Sequence, residues 1–385
     1  MFAMGAVGAV VAAIAALYLT AGNQHFSRDG CDRLDTVLNS RVVGQELAID
    51  QFVEAVCEHL RKENRGAVGN KPLVVSVHGP PGVGKTLTHT LAARALYGLE
   101  GAARSTEVVG PDGFWSGWGI PRVQSSLECP GRGCAGYKVL YGMDFVESKR
   151  DQQRQALRNA IVDHIKAFQE SFVVVEEYDK LDCGTRSMLR QLVMNPDRAN
   201  VSMGKSIFLL ESNLGMFELQ TMLEAAGGAN KVSAEAVHHK LKDLIFDHWR
   251  GEGCETFYDT LKNTNFIDLY IPYFSLEKKH LKQILEMRLG EASTAAATQG
   301  FHLQWDRHVV DFLLGKVEFD GNYPVDGAKD VDMAMRYVSR ALRKLKGMEE
   351  LSHGGQSLFG RRQSLPRVVL KADKDSNILR TEVAR

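Results

Sequence analysis

Apolar residues along this chain fall into two periods. Compact β-branched runs in "KPLVVSVHG", "SFVVVEEYDK" and "SIFLLESNLG" read as buried strands, and "NFIDLYIPYFSL" as a short strand leading to a turn. Between them apolar residues recur at helical spacing. "RVVGQELAIDQFVEAVCEHLRKENRG" sets Leu47, Phe52, Val56 and Leu60 along one helix and leaves through glycine. "SKRDQQRQALRNAIVDHIKAFQE", "DCGTRSMLRQLVMNP" and "AEAVHHKLKDLIFDHWRG" are further amphipathic helices, whereas Gly101 to about Gly142 is rich in Gly, Pro and Trp and reads as long loops with short strands. Alternating strands and helices predict an α/β fold, a parallel sheet with helices on both faces.

From about Tyr273 the pattern changes. "EKKHLKQILEMRLGEA", "DRHVVDFLLGKV" and "DVDMAMRYVSRALRKLKG" read as helices, and "PRVVLKADKDSNILRTEV" as a terminal strand or hairpin. The expected organisation is an apolar leader at 1–22, a polar linker at 23–40, a large domain at 41–272 and a smaller, mainly helical α+β unit at 273–385. No internal repeat is visible.

The leader, Met1 to about Ala21, is unbroken apolar and small, close to the roughly 20 residues that span a bilayer. It predicts entry into the secretory pathway, as a cleaved signal or as an anchor through residues 2–21. The missing charged start leaves a cytosolic alternative. A length of 385 residues allows two or three domains. Lys+Arg 47 against Asp+Glu 47 gives formal net charge +0, so the basic footprint of a dedicated nucleic-acid binder is absent. Of six cysteines, Cys129 and Cys134 flank a Gly/Pro loop and could bridge in an oxidising lumen. No second Cys/His pair at finger spacing lies near them for zinc. "NVS" at Asn200 is a glycosylation sequon, informative for a lumenal chain.

"GPPGVGKT" matches the phosphate-loop pattern in full and sits between a strand and a helix. Glycines let backbone N–H groups converge on phosphate oxygens, and the following helix offers its positive end. The cradle runs from Gly79 through Pro80, Pro81, Gly82, Val83 and Gly84, with Leu87 just inside the helix. Lys85 is the candidate for the β- and γ-phosphates of ATP, and the Thr86 hydroxyl for Mg²⁺. Acidic residues at a strand end are common, and "VVVEE" alone would carry little. A phosphate loop about 90 residues upstream changes that, because its chemistry needs acids on a second strand end. Glu176 takes the metal-side position, usually Asp, and Glu177 that of the water-polarising glutamate. The extra methylene at 176 moves the carboxylate by about 1.5 Å, which a water-mediated contact to Mg²⁺ absorbs. Asn213, ending "LLESN", is the candidate for positioning the water, and Lys329, in "DGAKDV", for a second positive charge on the phosphates.

Together these segments resemble an AAA+ ATPase of the Clp/torsin branch, and most of all a torsin, over roughly Arg41 to Leu345. "VVGQELAI" resembles the helix start that frames adenine, which makes Val42 and Val43 pocket candidates. "FIDLYIPYF" and "GAK" lean the resemblance towards torsins, the latter matching the sensor-2 lysine. Departures are Thr86 where torsins carry Asn, Ala328 where they carry Cys, and Glu176 for Asp. Clp unfoldases place an arginine just before the "ID", reaching the neighbouring subunit's ATP; here that residue is Phe266, with Arg250 as an unselected substitute.

The resemblance implies a weak ATPase of the endoplasmic reticulum lumen or nuclear envelope. It also implies a membrane-anchored activator supplying arginine in trans, a homo-oligomer, and chaperone-like remodelling of an unnamed protein substrate. Tyr137, Tyr141, Trp115 and Trp118 are pore-loop candidates or the packing of an insertion. A self-assembling Clp-like unfoldase and a nucleotide-dependent scaffold with little turnover are the alternatives.

Overall fold

The computed structural model describes residues 25–64, 69–99, 134–145, 150–254, 266–352, 366–373 and 378–384. The leader at 1–22, Trp115, Trp118 and Cys129 lie outside them. The described residues group into two compact units, one holding 25–80, 85–99 and 134–274, the other 81–84 and those from 275 onward.

The first unit begins with α1 (Gly30–Arg41) and α2 (Glu46–Asn64), followed by β1 (Leu73–His78) and α3 (Lys85–Leu96). Next come β2 (Tyr137–Tyr141), α4 (Arg150–Ala167), β3 (Phe172–Glu176), α5 (Cys183–Met194) and β4 (Ile207–Ser212). Helices α6 (Met216–Ala226) and α7 (Ala234–Gly251) lead to β5 (Leu269–Pro272). The five strands form one sheet in the order β2-β3-β4-β1-β5, every neighbouring pair parallel. Val74, Val75, Val173, Val174 and Leu210 are fully buried. This is why these strands read as apolar runs rather than alternations: helices cover both faces of a parallel sheet.

One expectation is corrected in this unit. Residues 23–40 are not simply a linker, because α1 occupies Gly30–Arg41. Leu34 and Leu38, one turn apart, are completely buried, each contributing about 1.5–3 kcal/mol, and a Cys31–Cys57 disulfide ties α1 to α2. The polar residues that suggested a linker occupy the solvent face of that helix. Within 101–142, read as long loops with short strands, Tyr137–Tyr141 is such a short strand and forms an edge of the main sheet. On α2, Ile49 joins Phe52, Val56 and Leu60 in the core while Leu47 is half-buried.

The second unit carries α8 (Lys278–Thr298), β6 (His302–Trp305), α9 (Arg307–Leu314), the short pair β7 (Phe319–Asp320) and β8 (Tyr323–Pro324), and α10 (Lys329–Ser352). The tail is a hairpin, β9 (Arg367–Asp373) and β10 (Ile378–Ala384), with β6 added in parallel to β9. Leu281, Leu285 and Leu289 of α8, Val309 and Leu313 of α9, and Val331, Val338 and Leu342 of α10 are buried at helical spacing. Among the described residues no helix is long and apolar enough to cross a membrane.

Candidate nucleotide site

Ligands of open parallel sheets bind beyond the carboxyl ends of the strands. Here the ends of β1, β3 and β4 bring together most of the residues singled out in the sequence. The loop leaves β1 at Gly79 (φ 157°), where a side chain is impossible: a Cβ would overlap the carbonyl oxygen of Tyr273. Gly82 (φ 76°) is confined in the same way within the second unit, where its carbonyl accepts the Ala328 N–H at 2.8 Å. A cradle that Cβ atoms would fill is what close approach of phosphate to backbone requires.

Lys85 opens α3 and is 4% exposed. Its ammonium donates to Gly79 O (2.8 Å), Pro80 O (2.8 Å) and Asn213 Oδ1 (2.9 Å), which links the phosphate loop to the end of β4. The Asn213 N–H in turn donates to Asp179 Oδ1 at 3.3 Å. Thr86 is exposed, its hydroxyl 3.4 Å from Glu211 Oε2.

Glu176 is the last residue of β3. Glu177 follows in the left-handed region (φ 52°, ψ 42°), one of two non-glycine residues with positive φ among the described residues, the other being Asn200. Such backbone costs about 1–3 kcal/mol and is kept where surrounding structure enforces it. It ends the strand alternation between the two glutamates. The Glu177 carbonyl accepts the Lys180 N–H at 2.9 Å and packs against Gly142, where a Cβ would overlap it.

Sequence reasoning missed His89 and Glu211, and read Tyr137 only as a pore-loop candidate or the packing of an insertion. His89 is nearly fully buried one turn after Lys85, with Nε2 3.0 Å from Glu176 Oε1 and 3.7 Å from Glu211 Oε2, and Nδ1 2.7 Å from Tyr137 Oη. The signal was present as spacing: 85 and 89 share a helix face, and Glu211 stands on β4 two residues before Asn213. Burial pushes the Glu211 carboxyl up; Lys85, 3.9 Å away, and His89 pull it back, while Glu176 pushes it further up. Tyr137 therefore belongs to the site through His89, and Tyr141 is half exposed at the sheet edge.

Val42 is buried and Val43 half-buried. Their turn is fixed by Gln45, which donates to Phe274 O (2.8 Å) and accepts from Phe274 N (3.0 Å). Val83 is buried and Leu87 half-buried, while Pro80 and Pro81 complete the loop. Lys329 begins α10 in the second unit and is exposed. Phe266 is 1% exposed and clusters with Tyr178 and Trp249, a core position. Arg250 pairs with Asp247 at 2.6 Å on an exposed face. The Thr86 hydroxyl and the Glu211 carboxylate beside it are oxygen donors of the kind Mg²⁺ takes.

This sheet order and this loop, with acids on the adjacent strand ends, define an AAA+ ATPase of the P-loop class. A family model described as Torsin matches residues 18–109. The chain is 25% identical over 260 residues to a "Torsin-like protein" of Drosophila melanogaster, covering 67% of each chain. It is 23% identical over 255 residues to a "Torsin-like protein" of Caenorhabditis elegans, covering 65% of this chain and 61% of that one. It is also 27% identical over 318 residues to "Chaperone protein ClpB3, mitochondrial" of Oryza sativa subsp. japonica, covering 82% of this chain but 29% of that protein. The chain is thus similar to torsin-like proteins and to ClpB chaperones, likenesses that support a torsin-like reading within the AAA+ ATPases.

Proposed function

We propose that this protein binds Mg-ATP and hydrolyses it slowly by itself, as a chaperone-like remodelling ATPase of the endoplasmic reticulum lumen or nuclear envelope. The observation that carries the reading is the Lys85–Asn213 hydrogen bond between the phosphate loop and the end of β4, with Glu176 and Glu177 closing the adjacent strand β3. Lys85 and the loop amides hold the phosphates. Thr86 and Glu176 hold Mg²⁺, which neutralises phosphate charge when bound. Glu177 takes a proton from the attacking water, Asn213 orients that water, Lys329 senses the γ-phosphate, and Val42 and Val43 flank the adenine.

Slow turnover follows from Phe266. An arginine finger is worth about 10³–10⁵ in rate where P-loop enzymes use one, and a buried phenylalanine supplies none of it. A partner, either a membrane-anchored activator or a neighbouring copy, provides the arginine. The lumenal location is supported by the cysteines, since every cysteine among the described residues is disulfide-bonded. The sequon at Asn200 is also exposed.

The test is ATP turnover by the purified full chain beside Glu177→Gln, with ATP binding measured in parallel. Binding without turnover above the Glu177→Gln background supports the partner-dependent reading. Brisk turnover alone favours a self-assembling, ClpB-like enzyme, and no ATP binding overturns both. A glycosidase-sensitive shift in gel mobility, lost in Ser202→Ala, tests the location.

A further inference from the structure

Glu176 and Glu211 stand on adjacent parallel strands. Val175 is level with Leu210, which brings the next residue of each strand side by side. His89 reaches both from α3, so one imidazole nitrogen and one oxygen from each carboxylate lie within 4.8 Å of one another. Metal–ligand bonds of about 2.0–2.2 Å set neighbouring ligand atoms about 3.0–3.6 Å apart. The observed 3.0 Å and 3.7 Å from His89 Nε2 bracket that spacing.

We infer that His89, Glu176 and Glu211 form a binding site for a transition-metal dication of the Mn²⁺, Co²⁺ and Zn²⁺ class, one that Mg²⁺ fills poorly. Imidazole nitrogen suits these ions, whereas Mg²⁺ takes oxygen and sheds its water reluctantly. The outer partners are of the kind that hold a metal-binding imidazole. Tyr137 Oη lies 2.7 Å from Nδ1, and in the tautomer protonated at Nδ1 it accepts that N–H, so that the Nε2 lone pair faces the two carboxylates. A dication between them removes the repulsion among these three donors. Lys85 does so only in part, being 3.9 Å from Glu211 with its protons directed to Gly79, Pro80 and Asn213. Glutamate at 176, where aspartate is usual, gives the carboxylate the length to meet His89. The site shares Glu176 with the Mg²⁺ role proposed above and rests on that reading only for its effect on turnover.

The test titrates the nucleotide-free full chain with Co²⁺ in buffer containing excess Mg²⁺. Expected is one Co²⁺ per chain with a visible d–d band, displaced by Zn²⁺. Affinity should fall at least about 10–100-fold in His89→Gln and in Glu211→Gln, the range for losing an outer partner alone. Lys85→Ala should lose ATP binding and keep Co²⁺, so that failure of the nucleotide reading and failure of the metal site are told apart. Should either carboxylate-site variant fold poorly, pulsed EPR of Mn²⁺-loaded wild type replaces it, with one coordinated nitrogen expected. Absence of saturable binding, binding unchanged in both variants, or no nitrogen coupling overturns the site.

Discussion

Lys85 Nζ lies 2.9 Å from Asn213 Oδ1, so the phosphate-loop lysine and the strand-end asparagine share a hydrogen bond. The loop and the end of β4 are therefore linked before either meets phosphate. Asn213→Ala removes both the link and the group proposed to orient water. Turnover, with the proposed activator present, should fall about 10²-fold, the usual cost of one preorganised polar group, with ATP affinity nearly kept. Equal losses in kcat and affinity would mean that Asn213 serves only to hold Lys85.

Gly142 offers a way to move Glu177 without altering its carboxylate. A Cβ at 142 would overlap the Glu177 carbonyl oxygen, and backbone atoms yield poorly. Gly142→Ala should lower turnover by about 10²-fold through displacement of Glu177, the proposed base, leaving fluorescent-nucleotide binding within a few-fold of wild type. Unchanged turnover would show that the left-handed turn at Glu177 tolerates the shift.

His78, at the end of β1, is 2% exposed. Nδ1–H donates to Leu214 O at 3.3 Å, and Nε2 accepts from the Ser76 hydroxyl at 2.7 Å. Burial holds its pKa down at about 4. Between pH 6.5 and about 4 the unfolded chain takes up a proton that the folded chain refuses, so stability falls as pH drops through that window. The full loss is about 3 kcal/mol. His78→Asn, which keeps an N–H for Leu214, should flatten urea-unfolding stability against pH over that window. Parallel curves would place the acid sensitivity elsewhere.

The Cys183–Cys254 disulfide joins the first residue of α5 to the end of the α7 segment across 71 residues. Chain-entropy arithmetic for a loop of that size gives about 4 kcal/mol, and measured cases are typically about 2–4. Replacing both cysteines with alanine should lower the urea midpoint accordingly. Reductant should then shift the variant less than it shifts wild type.

The large-domain strands and the phosphate loop were legible because they are local. Fully buried parallel strands leave unbroken β-branched runs, and the loop's chemistry lies within eight consecutive residues. Glu176, Glu177 and Asn213 were legible by their order relative to that loop. Helix α1 was not, because an amphipathic helix with two buried leucines and a polar outer face resembles a linker in composition. A short strand was expected within 101–142, but its place at the edge of the main sheet was not legible, since Tyr137–Tyr141 is only partly buried.

By itself, then, the sequence determined the class of chemistry: a glycine cradle, a lysine at a helix start and acids closing a buried strand. Only the tertiary structure decided which other residues surround those groups. His89, Tyr137, Glu176 and Glu211 come from four different elements, and no local spacing joins them. Their meeting depends on strand order and on the β3–β4 register, which rest on long-range pairing of apolar runs that look alike in sequence.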